Sequence, residues 1–141
     1  MLLEPSEQEL ATPTPVRPQV LIVDDEESIA EPLRLRLDKL GFGTIVARSG
    51  QQALDLARLA RPHCITLDLC LPDVDGLELC QRLVDDEQTG EIPVIIVSGR
   101  EQDDILKRSR AAGCQYYVRK PYDPNVLLTL IRQAIDEANE D

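Results

Sequence analysis

The chain has 141 residues, of which 43% are hydrophobic and 29% charged, a composition typical of one globular domain. Its formal net charge of −11 argues against direct binding to nucleic acid or to an anionic membrane surface, because both need clustered Lys and Arg. No apolar run approaches the roughly 18 residues of a membrane span, and no secretion signal begins the chain, so we expect a cytoplasmic protein.

The first predicted elements follow a proline-rich start. Residues 1–18 hold four prolines without hydrophobic periodicity, and we expect a disordered or loosely held tail. QVLIVDD, at residues 19–25, is an apolar run that ends in two acids, which is typical of a strand buried on both faces. A helix is predicted over residues 28–40, since Ser28 and Glu31 have capping-box spacing and Gly41 follows.

The same alternation of strand and helix repeats along the rest of the chain. Further strands are predicted at residues 43–49, 63–69, 94–99 and 115–121. Further helices are predicted at residues 50–62, 77–88, 102–113 and 123–138. Alternation of this kind predicts an α/β fold with a parallel sheet between two helical layers. We expect a doubly wound, flavodoxin-like five-stranded sheet of order 2-1-3-4-5.

The spacing of the four cysteines does not predict a metal site. Cys64, Cys70, Cys80 and Cys114 lack the paired spacing of a zinc site. We expect reduced thiols that pack as small hydrophobic side chains, as is usual inside cells. A zinc site that includes His63, the only histidine, is the alternative.

Polar residues stand where four of the predicted strands end. Asp24 and Asp25 end the first strand, Asp68 the third, Ser98 the fourth and Lys120 the fifth. Because these strands are neighbours in the expected order, their ends meet at one edge of the sheet. Carboxylates close together favour a cation, and oxygen ligands on an open site suit Mg²⁺. A carboxylate can also be a covalent nucleophile that forms an aspartyl phosphate.

Each of these residues alone has an ordinary structural interpretation. The two acids after the first strand could cap a helix, Ser98 could belong to a turn, and Lys120 could face solvent. We interpret Asp73 and Asp75, in the segment PDVDG, as turn residues. The joint placement at four strand ends is what favours a functional site.

Four segments carry a resemblance to a known family. VLIVDDE, LDLCLPDVDG, IPVIIVSG and YYVRKP, in this order, resemble the CheY-like receiver domain of two-component response regulators over residues 19–138, with 139–141 as a C-terminal tail. The resemblance implies that Asp68 accepts a phosphoryl group from a sensor histidine kinase or phosphotransfer protein. It implies Mg²⁺ as cofactor, bound by Asp24, Asp25, Asp68 and the backbone carbonyl of Cys70. Ser98 and Lys120 would contact the phosphoryl oxygens.

The resemblance also implies a switch. Ser98 would move toward the phosphoryl group while Tyr117 turns inward, and the Lys120–Pro121 peptide bond would be cis. Cys70 and Arg100 occupy two variable positions that face the phosphoryl site in this family, and Arg100 could shield the acyl phosphate. Such a protein is a phosphoacceptor regulator, at most a slow autophosphatase, rather than an enzyme.

The output surface of receiver domains is helix 4, strand 5 and helix 5, here residues 102–138. Between residues 100 and 120 the chain carries more basic than acidic residues: Arg100, Lys107, Arg108, Arg110, Arg119 and Lys120 against Glu101, Asp103 and Asp104. This surface would bind a downstream protein, an output domain outside this sequence, or a second copy in a homodimer. A mixed, solvated helix face is the alternative.

Three other functions compete with a phosphorylated receiver. A haloacid-dehalogenase-like phosphatase also forms an aspartyl phosphate, but it needs a second Asp where Cys70 stands. A nucleotide- or flavin-binding module would need a glycine-rich loop after the first strand, where DDEES stands instead. A receiver-like interaction module that is never phosphorylated is disfavoured by the intact acids, Ser98 and Lys120.

Overall fold

A computed structural model describes residues 17–99 and 103–140. The strands are β1 (Gln19–Val23), β2 (Gly43–Ala47), β3 (Cys64–Asp68), β4 (Val94–Ser98) and β5 (Tyr116–Arg119). The helices are α1 (Glu27–Lys39), α2 (Gly50–Ala60), α3 (Gly76–Asp85), α4 (Asp103–Ala111) and α5 (Pro124–Ala138). Residues 1–16 of the predicted tail lie outside the described residues. None of the helices in the described ranges is long and apolar enough to cross a membrane.

The five strands form one parallel sheet of order β2-β1-β3-β4-β5, which confirms the predicted fold. Side chains of β1 alternate between two buried clusters. Leu21 and Val23 pack with α2, α3 and α4, whereas Val20 and Ile22 pack with α1 and α5. The central strands β3 and β4 are buried along their whole length because helices cover both faces of the sheet.

Helix α1 begins earlier than its sequence signal indicates. Its N-cap is Glu26, which makes no side-chain capping hydrogen bond, so the predicted capping box at Ser28 is wrong. The cause is a turn directly after β1, in which the Asp24 carboxylate accepts a hydrogen bond from the Glu26 backbone N–H at 2.9 Å. That turn brings the chain into helical conformation before Ser28 is reached.

Helix α3 is shorter than the predicted helix over residues 77–88. It ends at Asp85, because Asp86 has an extended backbone at the C-cap. The Asp86 carboxylate then accepts a hydrogen bond from the backbone N–H of Gln88, at 2.8 Å, in a local turn. Competition between side chain and helix backbone therefore ends α3 about one turn early.

Two cysteines correct an expectation from the sequence. Cys80 of α3 and Cys114, just before β5, are joined in a buried disulfide, with their Cα atoms 6.9 Å apart. The expectation of reduced thiols is therefore wrong for this pair, whereas Cys64 and Cys70 lie outside the disulfide. The imidazole of His63 accepts a hydrogen bond from the first residue of β1, at the edge of the sheet opposite the acids, and the zinc alternative gains no support.

The disulfide makes a simple mass prediction. Protein purified without reductant should be lighter than the reduced protein by the mass of the two thiol hydrogens, measured on the intact chain. Cys80→Ser should abolish this difference. Cys64→Ser should retain it, because Cys64 lies outside the disulfide and the Cys80–Cys114 pair is unchanged. Equal masses with and without reductant would contradict the pairing.

Candidate functional site

The register of the sheet brings the two buried acids to the same edge. Val23 of β1 lies opposite Leu67 of β3. The next residue after each is an acid, Asp24 and Asp68, and both are only 5% exposed. Parallel strands carry their carboxyl ends to a common edge, so the two carboxylates face one another across the ends of adjacent strands.

The other two strands bring Ser98 and Lys120 to the same edge. Ser98, which is 1% exposed, ends β4 and lies opposite Arg119 of β5. Lys120 is the next residue, and its backbone N–H donates to the Ser98 carbonyl at 2.8 Å. The Lys120–Pro121 peptide bond is cis, as the family resemblance implies.

Three carboxylates form one cluster at this edge. Asp24, Asp25 and Asp68 each offer an oxygen, and these oxygens lie within 4.8 Å of one another. The backbone orients the two buried acids, because the Cys70 N–H donates to Asp68 Oδ1 at 3.0 Å just as the Glu26 N–H donates to Asp24. Asp25 is exposed, so the cluster opens to solvent on its side.

Lys120 compensates part of the negative charge. Its Nζ lies 3.1 Å from Asp68 Oδ2 and 3.7 Å from Asp24 Oδ2. Burial lowers the pKa of the Lys120 ammonium, but the hydrogen bond from it to Asp68 and the charges of both acids outweigh burial and raise that pKa above its ordinary value. One ammonium therefore stays protonated among three carboxylates.

Burial and the negative charge that Lys120 does not compensate raise the pKa of Asp24. Burial raises the pKa of the Asp24 carboxyl, the hydrogen bond from the Glu26 N–H lowers it, and the charge of Asp68 raises it further. Lys120 lowers it, but the net result is a pKa of about 6 instead of 3.8. Lys120 therefore does not fully compensate the charge of this carboxyl, and a bound cation would supply further positive charge.

The cluster fits Mg²⁺ by its donor chemistry. It offers carboxylate oxygens only, on a surface open to water at Asp25, and Mg²⁺ keeps several waters while it binds one or two carboxylates. Among the residues that the structure describes, this is the one group of three acidic, histidine or cysteine side chains close enough to hold a metal ion. The predicted fourth protein ligand, the carbonyl of Cys70, belongs to the residue whose N–H orients Asp68.

The two predicted switch residues occupy different depths. Ser98 is buried at the end of β4, whereas Tyr117 of β5 is half-buried and packs against the cluster under α2, α3 and α4. Its neighbour Tyr116 packs on the opposite face of the sheet and donates a hydrogen bond to Glu137 of α5. Arg100, the predicted shield of the acyl phosphate, lies outside the described residues.

Two acids of the loop after β3 have roles that the turn interpretation missed. Asp75 is the N-cap of α3, and its carboxylate accepts from the Leu77 N–H at 2.8 Å. Asp73 reaches across to α2 and accepts from the N–H groups of Gly50 and Gln51, at 2.8 and 3.1 Å. An Asp just before a helix is a readable N-cap signal, but the Asp73 contact joins segments far apart in sequence.

Comparison with known proteins gives a consistent result. The family model for the response regulator receiver domain matches residues 20–132. The polar-differentiation response regulator DivK of Brucella ovis is 38% identical over 119 residues, which are 84% of this chain and 97% of DivK.

Solved structures agree with these matches. A CheY-like receiver domain protein of Methanospirillum hungatei superposes with a TM-score of 0.82 at 26% identity, over 87% of this chain and 97% of that one. The chemotaxis response regulator CheY4 of Vibrio cholerae superposes with a TM-score of 0.78 at 25% identity, over 84% of this chain and 99% of that one.

Proposed function

Because this chain belongs to the response regulator receiver domain family of two-component signalling, we propose that it is a phosphorylation-dependent switch whose phosphoacceptor is Asp68. The observation that carries the proposal is the 3.1 Å contact of Lys120 Nζ with Asp68 Oδ2 beside a cluster of acids that fits Mg²⁺. Members of this family are regulators, and we propose slow loss of the phosphoryl group as the only catalysis.

The proposed step is in-line phosphoryl transfer. A carboxylate oxygen of Asp68 forms a bond to the phosphorus of a phosphohistidine on a partner protein. The bond from phosphorus to the imidazole nitrogen breaks, and that nitrogen keeps the electron pair. When bound by Asp24, Asp25, Asp68 and the Cys70 carbonyl, Mg²⁺ supplies positive charge to the phosphoryl oxygens.

Lys120 has two partners in the course of this step. Before transfer its ammonium donates a hydrogen bond to Asp68, which orients the carboxylate. Once Asp68 has become an acyl phosphate, its carboxyl group has lost its negative charge, and the ammonium is free to donate to a phosphoryl oxygen a short distance away. The Ser98 hydroxyl, at the end of the neighbouring strand, is the second proposed donor to these oxygens.

The proposed switch passes from β4 to β5. The Lys120 N–H donates to the Ser98 carbonyl at 2.8 Å, so a shift of Ser98 toward the phosphoryl group moves the end of β5 with it. Tyr117 lies three residues before Lys120 and is the side chain whose burial would change. The output is a changed surface on α4, β5 and α5, offered to a downstream protein, an output domain or a second copy.

An apolar groove of about 600 Å³ beside the site is the proposed docking surface for the phosphodonor protein. Most of its lining is apolar and comes from α1 and from the loop between β5 and α5, including Ile29, Pro32, Leu33, Pro121 and Tyr122, while Arg36 and Lys120 add positive charge. Because Lys120 belongs to both the groove and the site, a partner helix seated in the groove would hold its phosphohistidine close to Asp68. The apolar walls match the apolar face of a helix.

The test is phosphorylation in solution. The purified protein should gain the mass of one phosphoryl group when it is incubated with acetyl phosphate or phosphoramidate and Mg²⁺, and EDTA should prevent the gain. A protein that binds no Mg²⁺ and gains no mass would instead be the unphosphorylated interaction module. Release of inorganic phosphate at many turnovers per minute would indicate the phosphatase.

A further inference from the structure

We propose that Asp73 is a positioning residue for the metal site, which fastens the loop after β3 to α2 and so holds the backbone of Cys70 beside the acids. The inference rests on the proposed function, because it assigns a purpose to the loop that carries the proposed carbonyl ligand. It concerns residues 69–75, hereafter the phosphoacceptor loop, which connects β3 to α3.

The Asp73 carboxylate caps the first turn of α2 from outside the helix. The first N–H groups of a helix have no partner within the helix and need an outside acceptor. The Asp73 carboxylate accepts from Gly50 and Gln51, and the Ser49 hydroxyl accepts from Gln52. The hydrogen bonds from Gly50 and Gln51 hold the pKa of the Asp73 carboxyl below its ordinary value, so Asp73 is ionised at neutral pH.

Packing at the same place leaves the loop tip little freedom. A Cβ atom at Gly50 would lie 2.1 Å from Cγ1 of Val74, so the Val74 side chain occupies the space that any larger residue would need. The tip of the phosphoacceptor loop therefore lies on the backbone of α2, held by the polar contact of Asp73 and the apolar contact of Val74.

The base of the phosphoacceptor loop adjoins the acids. Cys70 and Asp75 form an isolated antiparallel bridge, and the Gly76 N–H donates to the Leu69 carbonyl at 3.2 Å. The Cys70 N–H also donates to Asp68 at 3.0 Å. With its base on Asp68 and its tip on α2, the loop has two supports, and loss of the outer support would loosen the base and displace the Cys70 carbonyl that lies there.

Outer supports of this kind affect metal binding without touching the metal. Removal of a residue that orients a ligand typically weakens metal affinity by about 10- to 100-fold. The Cys70 carbonyl is a single backbone ligand and the carboxylates stay in place, so we expect Asp73→Ala to weaken Mg²⁺ binding about tenfold. Asp73→Asn keeps one acceptor oxygen without the charge and should lie between Asp73→Ala and the unaltered protein.

The chain offers a matched control in Asp86. Its carboxylate also accepts from a backbone N–H, that of Gln88 at 2.8 Å, and it pairs with Arg58 at 2.7 Å. These contacts hold the pKa of the Asp86 carboxyl below its ordinary value, as for Asp73. Asp86 lies at the end of α3 away from the metal site, about 15 Å along the helix axis from its first turn. Asp86→Ala therefore removes a similar contact where no effect on Mg²⁺ is expected.

The experiment compares direct Mg²⁺ binding by calorimetry for the unaltered protein, Asp73→Ala, Asp73→Asn and Asp86→Ala, each checked as folded by circular dichroism. Hydrogen exchange of the phosphoacceptor loop in metal-free protein is the second measurement, and Asp73→Ala should speed it whereas Asp86→Ala should not. The expected order of affinity is the unaltered protein and Asp86→Ala together, then Asp73→Asn, then Asp73→Ala.

The outcomes separate the two proposals. Mg²⁺ affinity of Asp73→Ala within twofold of the unaltered protein would overturn the role of Asp73 and leave the phosphorylation proposal standing. An equal loss in Asp86→Ala would overturn it as well, since general stability would then explain the effect. If the unaltered protein binds no Mg²⁺ and accepts no phosphoryl group, the proposed function fails and the inference fails with it.

Discussion

Asp68→Asn is expected to abolish phosphorylation by acetyl phosphate completely, because an amide oxygen is not a competent nucleophile toward phosphorus. The change is nearly isosteric. Asn can still accept the hydrogen bond from the Cys70 N–H, but the charged contact with Lys120 Nζ at 3.1 Å is lost. Intact mass measured over a time course should show no phosphoryl group on the variant where the unaltered protein is fully modified.

Asp55→Asn is the matched control for this experiment. Asp55 is exposed on α2, and its carboxylate accepts a hydrogen bond from the side chain of Gln51 on the same helix. The same change of charge should leave phosphorylation of Asp55→Asn at the rate of the unaltered protein. Full modification of Asp68→Asn would assign the phosphoacceptor to another acid and refute the proposed mechanism.

Asp24→Asn is expected to stabilise the metal-free protein at pH 7. The pKa of the Asp24 carboxyl rises from its ordinary 3.8 to about 6 on folding. Each pKa unit corresponds to about 1.4 kcal/mol, so ionised Asp24 lowers the free energy of unfolding by about 3 kcal/mol at neutral pH. Asn carries no charge and can still accept from the Glu26 N–H, so urea denaturation should show a gain approaching that value.

The same pKa fixes how stability depends on pH. The folded state binds a proton at Asp24 more tightly than the unfolded state, so the contribution of Asp24 to stability is most favourable below pH 4, falls between about pH 4 and pH 6, and then levels off. The raised pKa of Lys120 stabilises the fold at every pH below the ordinary lysine value of 10.5 and leaves this window unchanged. The Asp24→Asn variant should lack the decline between pH 4 and pH 6.

Asp25→Asn separates stability from metal binding. Asp25 is exposed, so its neutral replacement should change the free energy of unfolding little. Both Asp24→Asn and Asp25→Asn should bind Mg²⁺ more weakly than the unaltered protein. Addition of Mg²⁺ should stabilise the unaltered protein, because the ion binds the folded state only. If Asp24→Asn proved no more stable than the unaltered protein at pH 7, the unfavourable burial of this carboxylate would be refuted.

The residues at this edge of the sheet could be predicted from the sequence because the same rule applies to every strand. Each parallel strand ends at the same side, so the last polar residue of each apolar run was enough to bring Asp68 and Lys120 together. The two residues are far apart in the sequence, and their position at the end of a strand was enough to predict that they meet. The apolar strands gave the sheet order for the same reason, since only a few right-handed topologies accommodate five such units.

The contacts that the sequence did not reveal join segments through packing. Cys80 and Cys114 are separated by 34 positions, one on α3 and the other just before β5, and no spacing rule pairs them. Asp73 looks like an ordinary turn acid until α2 is in place beside it. Ser28 had capping-box spacing, but the turn made by Asp24 after β1 began the helix sooner.

The disulfide places the proposed sensing hydroxyl and an output helix within one covalent ring. Ser98 and all of α4 lie between Cys80 and Cys114 along the chain. The C-terminal end of α4 is therefore tethered to α3, while its N-terminal end follows the strand that carries Ser98. If Ser98 shifts as proposed, the shift occurs inside a loop of chain that the disulfide closes, and a thiol reductant would open that loop.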